Sequence, residues 1–263
     1  KLSKLGAVLF KEAIPEKMCE ELSEFMHSKT MGASEEEFGD IMEAKLRKDL
    51  PLPLNEITMP IIRHVLNLAR PLLEEKLGKE PMLVELSSLI SYPNATAQDV
   101  HPDFAVDEFI NHNDANIVSV FCYLTDVDEN MAALDLYPGT HMLHFHMSDE
   151  AEHAMQNSIA LRLAVPKGTF VLMDSRTYHR GTNNTTPRRR PVFYFSFMER
   201  FKPIPEGPTY SIRDDVMEMN FTISSLLAHI EGALRRLNED TNGSTLLAAE
   251  NSANTSSGSS RHL

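Results

Sequence analysis

At 263 residues, with 42% hydrophobic and 24% charged side chains, the chain has the size and composition of one large globular domain. Such a chain can bury roughly three quarters of its unfolded surface without disulfides. Its 25 basic residues against 38 acidic ones leave a formal charge of −13, the wrong sign for gripping nucleic acid or an anionic membrane. No apolar run approaches the roughly 18 residues of a transmembrane helix. Cys19 and Cys122 read as reduced thiols, not as a disulfide framework or a thiolate metal site.

In chain order, the first texture is helical, over residues 14–77. Pro15 in a first-turn position, then Met18, Leu22, Phe25 and Met26 at spacings of three and four, predict a helix. A second is expected over Glu35 to Leu46. A third runs from Pro60 through Ile62, Val65, Leu66, Ala69, Leu72 and Leu73 to Leu77, with a kink at Pro71 and Gly78 as its stop. From Met82 to Met198 short runs of strand formers take over: Leu83–Tyr92, Gln98–Phe104, Ile117–Leu124, Ala133–Tyr137, Ile159–Val165, Thr169–Asp174 and Pro191–Met198. Pro138-Gly139, Pro166-Lys167-Gly168 and the stretch from Gly181 to Pro187 supply turns. Many short strands without long intervening helices predict a sandwich or barrel, not a doubly wound parallel sheet.

His141 to Met155 reads as an inserted, partly helical loop. A proline-rich connector then leads to a helix over Ser224 to Leu237, and the Ser-, Asn-, Thr- and Ala-rich end reads as a disordered tail. The expected organisation is one domain over residues 1–240, followed by a tail over 241–263. Within the domain, a helical N-terminal region spans residues 1–81, the β core 82–200, and a connector with its helix 201–240. The chain starts on Lys1, so the natural N-terminus, with any leader, is expected further upstream. Arg261-His262-Leu263 lacks the small residue with which a peroxisomal address begins, and reduced cysteines favour the cytoplasm.

His101-Pro102-Asp103 lies in a strand context, where residues two apart share a face, so imidazole and carboxylate converge. His179 follows the apolar strand that ends at Asp174. A second histidine there can complete two imidazoles and one carboxylate on one face of an iron, leaving three positions for oxygen and a chelating co-substrate. Eleven residues later Arg190 opens the strand to Met198, and an arginine fork pairs a carboxylate through two parallel hydrogen bonds. Alternation puts Arg190, Val192, Tyr194 and Ser196 on one face; Phe193, Phe195 and Phe197 form a core stripe on the other.

As a set, His101-x-Asp103, the Tyr137-Pro138-Gly139-Thr140-His141 element, His179 and Arg190 resemble the phytanoyl-CoA dioxygenase family. Leu124-Thr125-Asp126-Val127-Asp128-Glu129-Asn130 precedes the Pro-Gly-Thr-His element as is usual there. Asn184, Thr186 and Arg190 follow the second histidine at the family's customary intervals. The likeness runs from Leu5, through Gly6-Ala7-Val8-Leu9-Phe10, to Met198. It implies a mainly β chain with flanking helices around a double-stranded β-helix, a cupin-like jelly-roll core. It implies an iron(II)- and 2-oxoglutarate-dependent dioxygenase that uses molecular oxygen to hydroxylate a small organic molecule, releasing succinate and carbon dioxide.

The resemblance also implies roles. His101, Asp103 and His179 would form the catalytic metal centre, and Arg190 would bind the far carboxylate of 2-oxoglutarate. Phe121 falls where an aromatic residue lies against the co-substrate, and Ser88 near another contact position. Two positions depart from the family. Gly181 stands where many members carry a serine that touches 2-oxoglutarate, with Thr182 next to it, and Met131-Ala132 replaces an Asn-Gly-like turn.

Competing readings are weaker. His141, His144, His146 and His153 lack a carboxylate or thiolate at fixed spacing, so no second metal is expected. Arg188-Arg189-Arg190 is a thin basis for a phosphate or coenzyme A patch on so acidic a chain. Asp103 fills the position that radical halogenases of the family leave to halide, which favours hydroxylation or another oxidation such as desaturation. A catalytically retired cupin that binds a small acid is the rival from another class, and against it all four residues for iron and 2-oxoglutarate are present. The scaffold does not choose among fatty acyl-CoA, amino-acid, compatible-solute and specialised-metabolite substrates.

Overall fold

The computed structural model describes residues 2–38, 46–103, 116–142, 158–203 and 210–256, with side chains of the last segment to Glu239. Among them nine strands form: β1 (Ala7–Phe10), β2 (Arg47–Pro51), β3 (Met82–Ser91), β4 (Ile117–Tyr123), β5 (Leu134–Leu136), β6 (Leu161–Leu163), β7 (Phe170–Asp174), β8 (His179–Gly181) and β9 (Arg190–Met198). The helices are α1 (Leu2–Leu5), α2 (Glu16–Gly32), α3 (Thr58–Leu77), α4 (Asp214–Met217) and α5 (Ile223–Ser256). An antiparallel six-stranded sheet, in the order β1-β7-β4-β9-β3-β2, packs on a three-stranded sheet, β6-β5-β8. This is the expected jelly roll.

Alternation along the strands assigns each sheet face its task. The back of the large sheet carries Phe193, Phe195, Phe197, Val120 and Leu172, fully buried against α3 through Ile62, Val65 and Leu66 and against α2 through Leu22 and Met26. Burying one such side chain contributes roughly 1.5–3 kcal/mol. Between the sheets, Val171, Met173 and Val192 meet Leu134, Leu136 and Val165 in a second, smaller core that leaves room for a cavity.

Several expectations are corrected. The Glu35 to Leu46 helix is only a 3-10 turn over Glu35–Glu37, closed by a capping box in which the Ser34 N–H donates to Glu37 Oε2 at 2.8 Å. Residues 39–45 lie outside the described residues. At Leu46 the backbone enters the left-handed region (φ 63°), and β2 then pairs with β3. Long-range pairing thus claims a segment whose own propensity is weak. The α3 helix is assigned unbroken across Pro71, clamped on both sides of it by buried Ala69 and Leu73, and ends at Gly78 (φ 81°) as expected. The expected strand from Gln98 reduces to one bridge, His101 with His179, and Phe104 lies outside the described residues.

Of the inserted loop, only the turn Thr140–Met142 is described, and His144, His146 and His153 lie outside. The α5 helix runs on past Leu237 to Ser256, through the segment read as an unstructured tail. Leu246, Leu247, Ala248, Ala249 and Glu250, strong helix formers, lie within this extension, flanked by weaker ones. Among the described residues, no helix is long and apolar enough to cross a membrane.

Candidate active site

The turn between β7 and β8 is held by a buried charge cluster. The Asp174 carboxylate accepts two hydrogen bonds from Arg176, at 2.9 and 2.7 Å, and pairs with Lys76 at 2.9 Å. The turn delivers His179 to the start of β8, where its backbone exchanges N–H···O bonds of 2.9 and 3.0 Å with His101. The two imidazoles therefore lie side by side, ring centroids 4.7 Å apart.

Each ring is oriented through Nδ1, which faces a backbone carbonyl: Asp99 O at 2.7 Å for His101 and Thr177 O at 2.9 Å for His179. A carbonyl can only accept, so the proton is assigned to Nδ1 and each Nε2 presents a lone pair. Asp103 Oδ1 stands 3.2 Å from His179 Nε2 and 4.0 Å from His101 Nε2. The three ligand atoms all fall within 4.8 Å of one another. Burial, reinforced by His179, lowers the pKa of His101. Burial also opposes charging of His179, but the Asp103 carboxylate outweighs it and raises that pKa. Two imidazole nitrogens and one carboxylate oxygen are a donor set that fits iron(II). Asp103, with a side chain 34% exposed, keeps the centre open to the cavity.

That cavity, about 350 Å³, is lined by His101, Asp103, His179, Phe121 and Arg190, among others. Arg190 is 3% exposed. Its Nη1 donates to Ala132 O and its Nη2 to Ser91 Oγ at 3.2 Å, while Nε is buried without a partner. It makes no ion pair among the described residues. A buried guanidinium without a counter-ion is costly, so the arrangement fits an incoming carboxylate. Ala132, at the departure from the Asn-Gly-like turn, still adopts the left-handed conformation (φ 52°) that places its carbonyl against Arg190.

A second buried guanidinium is that of Arg47 on β2. Its Nη1 donates to Ser91 Oγ at 2.6 Å, sharing that hydroxyl with Arg190; its other donors go to the carbonyls of Thr96 and Thr182. Burial, then the charge of Arg190, pulls its pKa down to about 9. Arg47 also explains Gly181. A Cβ there would lie 2.6 Å from Arg47 Nη1 and 2.8 Å from Gln98 Oε1, so the missing serine makes room for the guanidinium. The Thr182 hydroxyl donates to Ala133 O at 2.8 Å.

Phe121 lines the cavity beside Tyr194, ring centroids 5.8 Å apart. Ser88 does not. It pairs with Phe193 on the helix-facing side and donates to Leu50 O at 3.3 Å, while Ser87 and Ser91 occupy the cavity face of β3. Arg188 and Arg189 precede the strand and pair with Asp128 and Glu24, each at 2.7 Å. His141 is buried in its turn, with Nε2 facing Ser3 O at 3.2 Å, next to α1.

The cavity is also lined by two carboxyl groups that the sequence did not mark out, Asp49 on β2 and Glu85 on β3. Asp49 accepts hydrogen bonds from Ser87, from Tyr194 at 2.6 Å and from Ser211 at 3.5 Å. Burial pushes it up to about 6 and Glu85 up to about 8. The Arg47-x-Asp49 spacing, the same two-residue step as His101-x-Asp103, is the signal that could have found the β2 pair.

Comparison with known proteins agrees with this geometry. The sequence model of the family described as phytanoyl-CoA dioxygenase matches residues 2–192. No curated protein sequence matches significantly. Similar solved structures include the non-heme α-ketoglutarate-dependent epimerase SnoN from nogalamycin biosynthesis, at 15% identity and a TM-score of 0.61, covering 77% of this chain and 80% of that one. The carbocyclase SnoK of the same biosynthesis gives 17% identity and 0.57, covering 75% and 81%. HygX from Streptomyces hygroscopicus gives 14% and 0.57, covering 76% and 85%. At such identities the likeness is one of fold. The family match over most of the chain goes further: this protein belongs to the phytanoyl-CoA dioxygenase family of iron- and 2-oxoglutarate-dependent oxygenases.

Proposed function

We propose that the protein oxidises, by hydroxylation, a small organic molecule at an iron(II) held by His101, Asp103 and His179, with 2-oxoglutarate anchored by Arg190. The observation that carries this reading is the pairing, in one cavity, of a His-Asp-His cluster with a buried arginine that has no counter-ion among the described residues. SnoN was crystallised with Fe3+ and α-ketoglutarate, and HygX with nickel and 2-oxoglutarate, which supports the same pair of ligands here.

The chain's own residues divide the work. His101 and His179 present neutral Nε2 atoms because backbone carbonyls hold their Nδ1 protons. Asp103 supplies the single anionic ligand. Arg190 orients the far carboxylate through its fork, and Phe121 and Tyr123 line the same cavity. What bound iron and 2-oxoglutarate supply is oxidation by molecular oxygen, the co-substrate leaving as succinate and carbon dioxide. Succinate release, dependent on iron and oxygen and slow without primary substrate, is the expected result. Absence of succinate under every condition would instead leave a binding protein for a small acid.

A further inference from the structure

The cavity face of the large sheet is polarised, and the strand register shows how. Ser91 pairs with Arg47 on one side and Arg190 on the other; six residues along β3, Glu85 pairs with Ser196, which in turn pairs with Ser119. At about 3.3 Å per residue these rows are roughly 20 Å apart. Arg47 and Arg190 therefore occupy one end and Glu85 the other, with Asp49, opposite Leu89, between the two rows and bonded toward Ser87 and Tyr194. Asp49, two residues from Arg47 on the same strand, turns away from it and takes its hydrogen bonds from Ser87, Tyr194 and Ser211. Among the described residues neither Asp49 nor Glu85 makes an ion pair, although both line the cavity.

The balance of charge isolates these two groups. The charges of iron(II), doubly ionised 2-oxoglutarate, Asp103 and Arg190 cancel, and Arg47 lies behind Ser91 at the arginine end. Among the described lining residues, no cation at that end compensates Asp49 or Glu85. Buried carboxyl groups without a cation hold their protons, and both are pushed up as such groups should be. Both carboxyl groups line the same cavity as the His101-Asp103-His179 cluster, which places them within reach of a ligand bound there.

We propose that Asp49 and Glu85 are the recognition end of the cavity and that the primary substrate carries a basic nitrogen, a protonated amine or guanidine, in place of an acyl-coenzyme A or another polyanion. This rests on the oxygenase reading above and names its substrate class. The cationic nitrogen sits between the two carboxylates, and the carbon to be oxidised lies toward His101 and His179.

The test is calorimetric titration of the manganese-loaded protein, first with 2-oxoglutarate and then with three probes of equal chain length: aminohexanol, hexanediol and hydroxyhexanoate. Aminohexanol is expected to bind at least about tenfold more tightly than hexanediol, the difference between a charge-assisted and a neutral hydrogen bond, and hydroxyhexanoate more weakly than either. Glu85→Gln and Asp49→Asn should each erode the preference for the amine, their folding being read separately from thermal melting. Equal affinity for amine and diol, no binding of the amine, or a preference intact in both variants overturns the proposal. Failure of 2-oxoglutarate itself to bind would instead overturn the oxygenase reading, and this inference with it.

Discussion

The two faces of β9 differ by one residue of phase and by everything else. Phe193, Phe195 and Phe197 point back into the helices and are fully buried; Arg190, Tyr194 and Ser196 point forward, each with a polar group to satisfy. The back face offers only shape. The front face offers charges that the fold leaves partly uncompensated, such as Arg190 Nε. Stability and ligand chemistry are therefore carried on alternate residues of one strand, and substitutions should separate them cleanly.

The sharpest separation is expected at the metal. His179→Ala should abolish iron binding and succinate release, measured by metal analysis and product assay, while thermal melting changes little. Equal iron content in wild type and variant would show that the ligand assignment is wrong. Asp103→Gly should keep some iron but lose hydroxylation, since the one anionic ligand is gone.

On the back face, Phe195→Ala should cost about 3–5 kcal/mol of stability through the cavity it leaves. Denaturant unfolding measures that loss. The folded fraction should keep its 2-oxoglutarate affinity, and a large fall in that affinity would break the comparison between faces.

Arg190→Ala should do the reverse, weakening 2-oxoglutarate about a hundredfold in calorimetry of the manganese-loaded protein, the worth of a buried two-pronged charged pair. Arg190→Lys should recover some of it, because the charge remains and the planar fork does not. Arg189→Ala, which removes only the surface pair with Glu24, should leave the affinity within about twofold.

The acidic end predicts an unusual pH profile. Between its ordinary 4.5 and about 8, folded Glu85 keeps a proton that the unfolded chain releases, and Asp49 behaves alike up to about 6. The folded state then binds more protons, so stability falls as pH rises through this window. Melting temperatures of wild type and Glu85→Gln across it should show a shallower slope in the variant. A small effect is expected at Ala132→Gly, which relieves a left-handed alanine and should stabilise by up to about 1 kcal/mol, read from thermal melting.

What could be read in the amino-acid order was local. The phase of Arg190 and the phenylalanine stripe follow from two-residue alternation within one strand, whereas His101 and Asp103, also singled out in the sequence, lie where only one bridge forms. The helix over Glu16–Gly32 and the Gly78 stop follow from equally short-range patterns. Tertiary structure alone decided the rest. Strand β2 has almost no strand-forming sequence and exists because β3 offers it a ladder; with it come Arg47 and Asp49. Whether Ser87 or Ser88 faced the cavity hung on one residue of phase, set where β3 shifts register against β9 between Leu83 and Glu85. The same shift brings Glu85 opposite Ser196 and into the cavity. Such long-range pairings and bulges leave no periodic trace within a segment, because the hydrogen bonds that select them come from strands a hundred residues away or from a neighbour's edge.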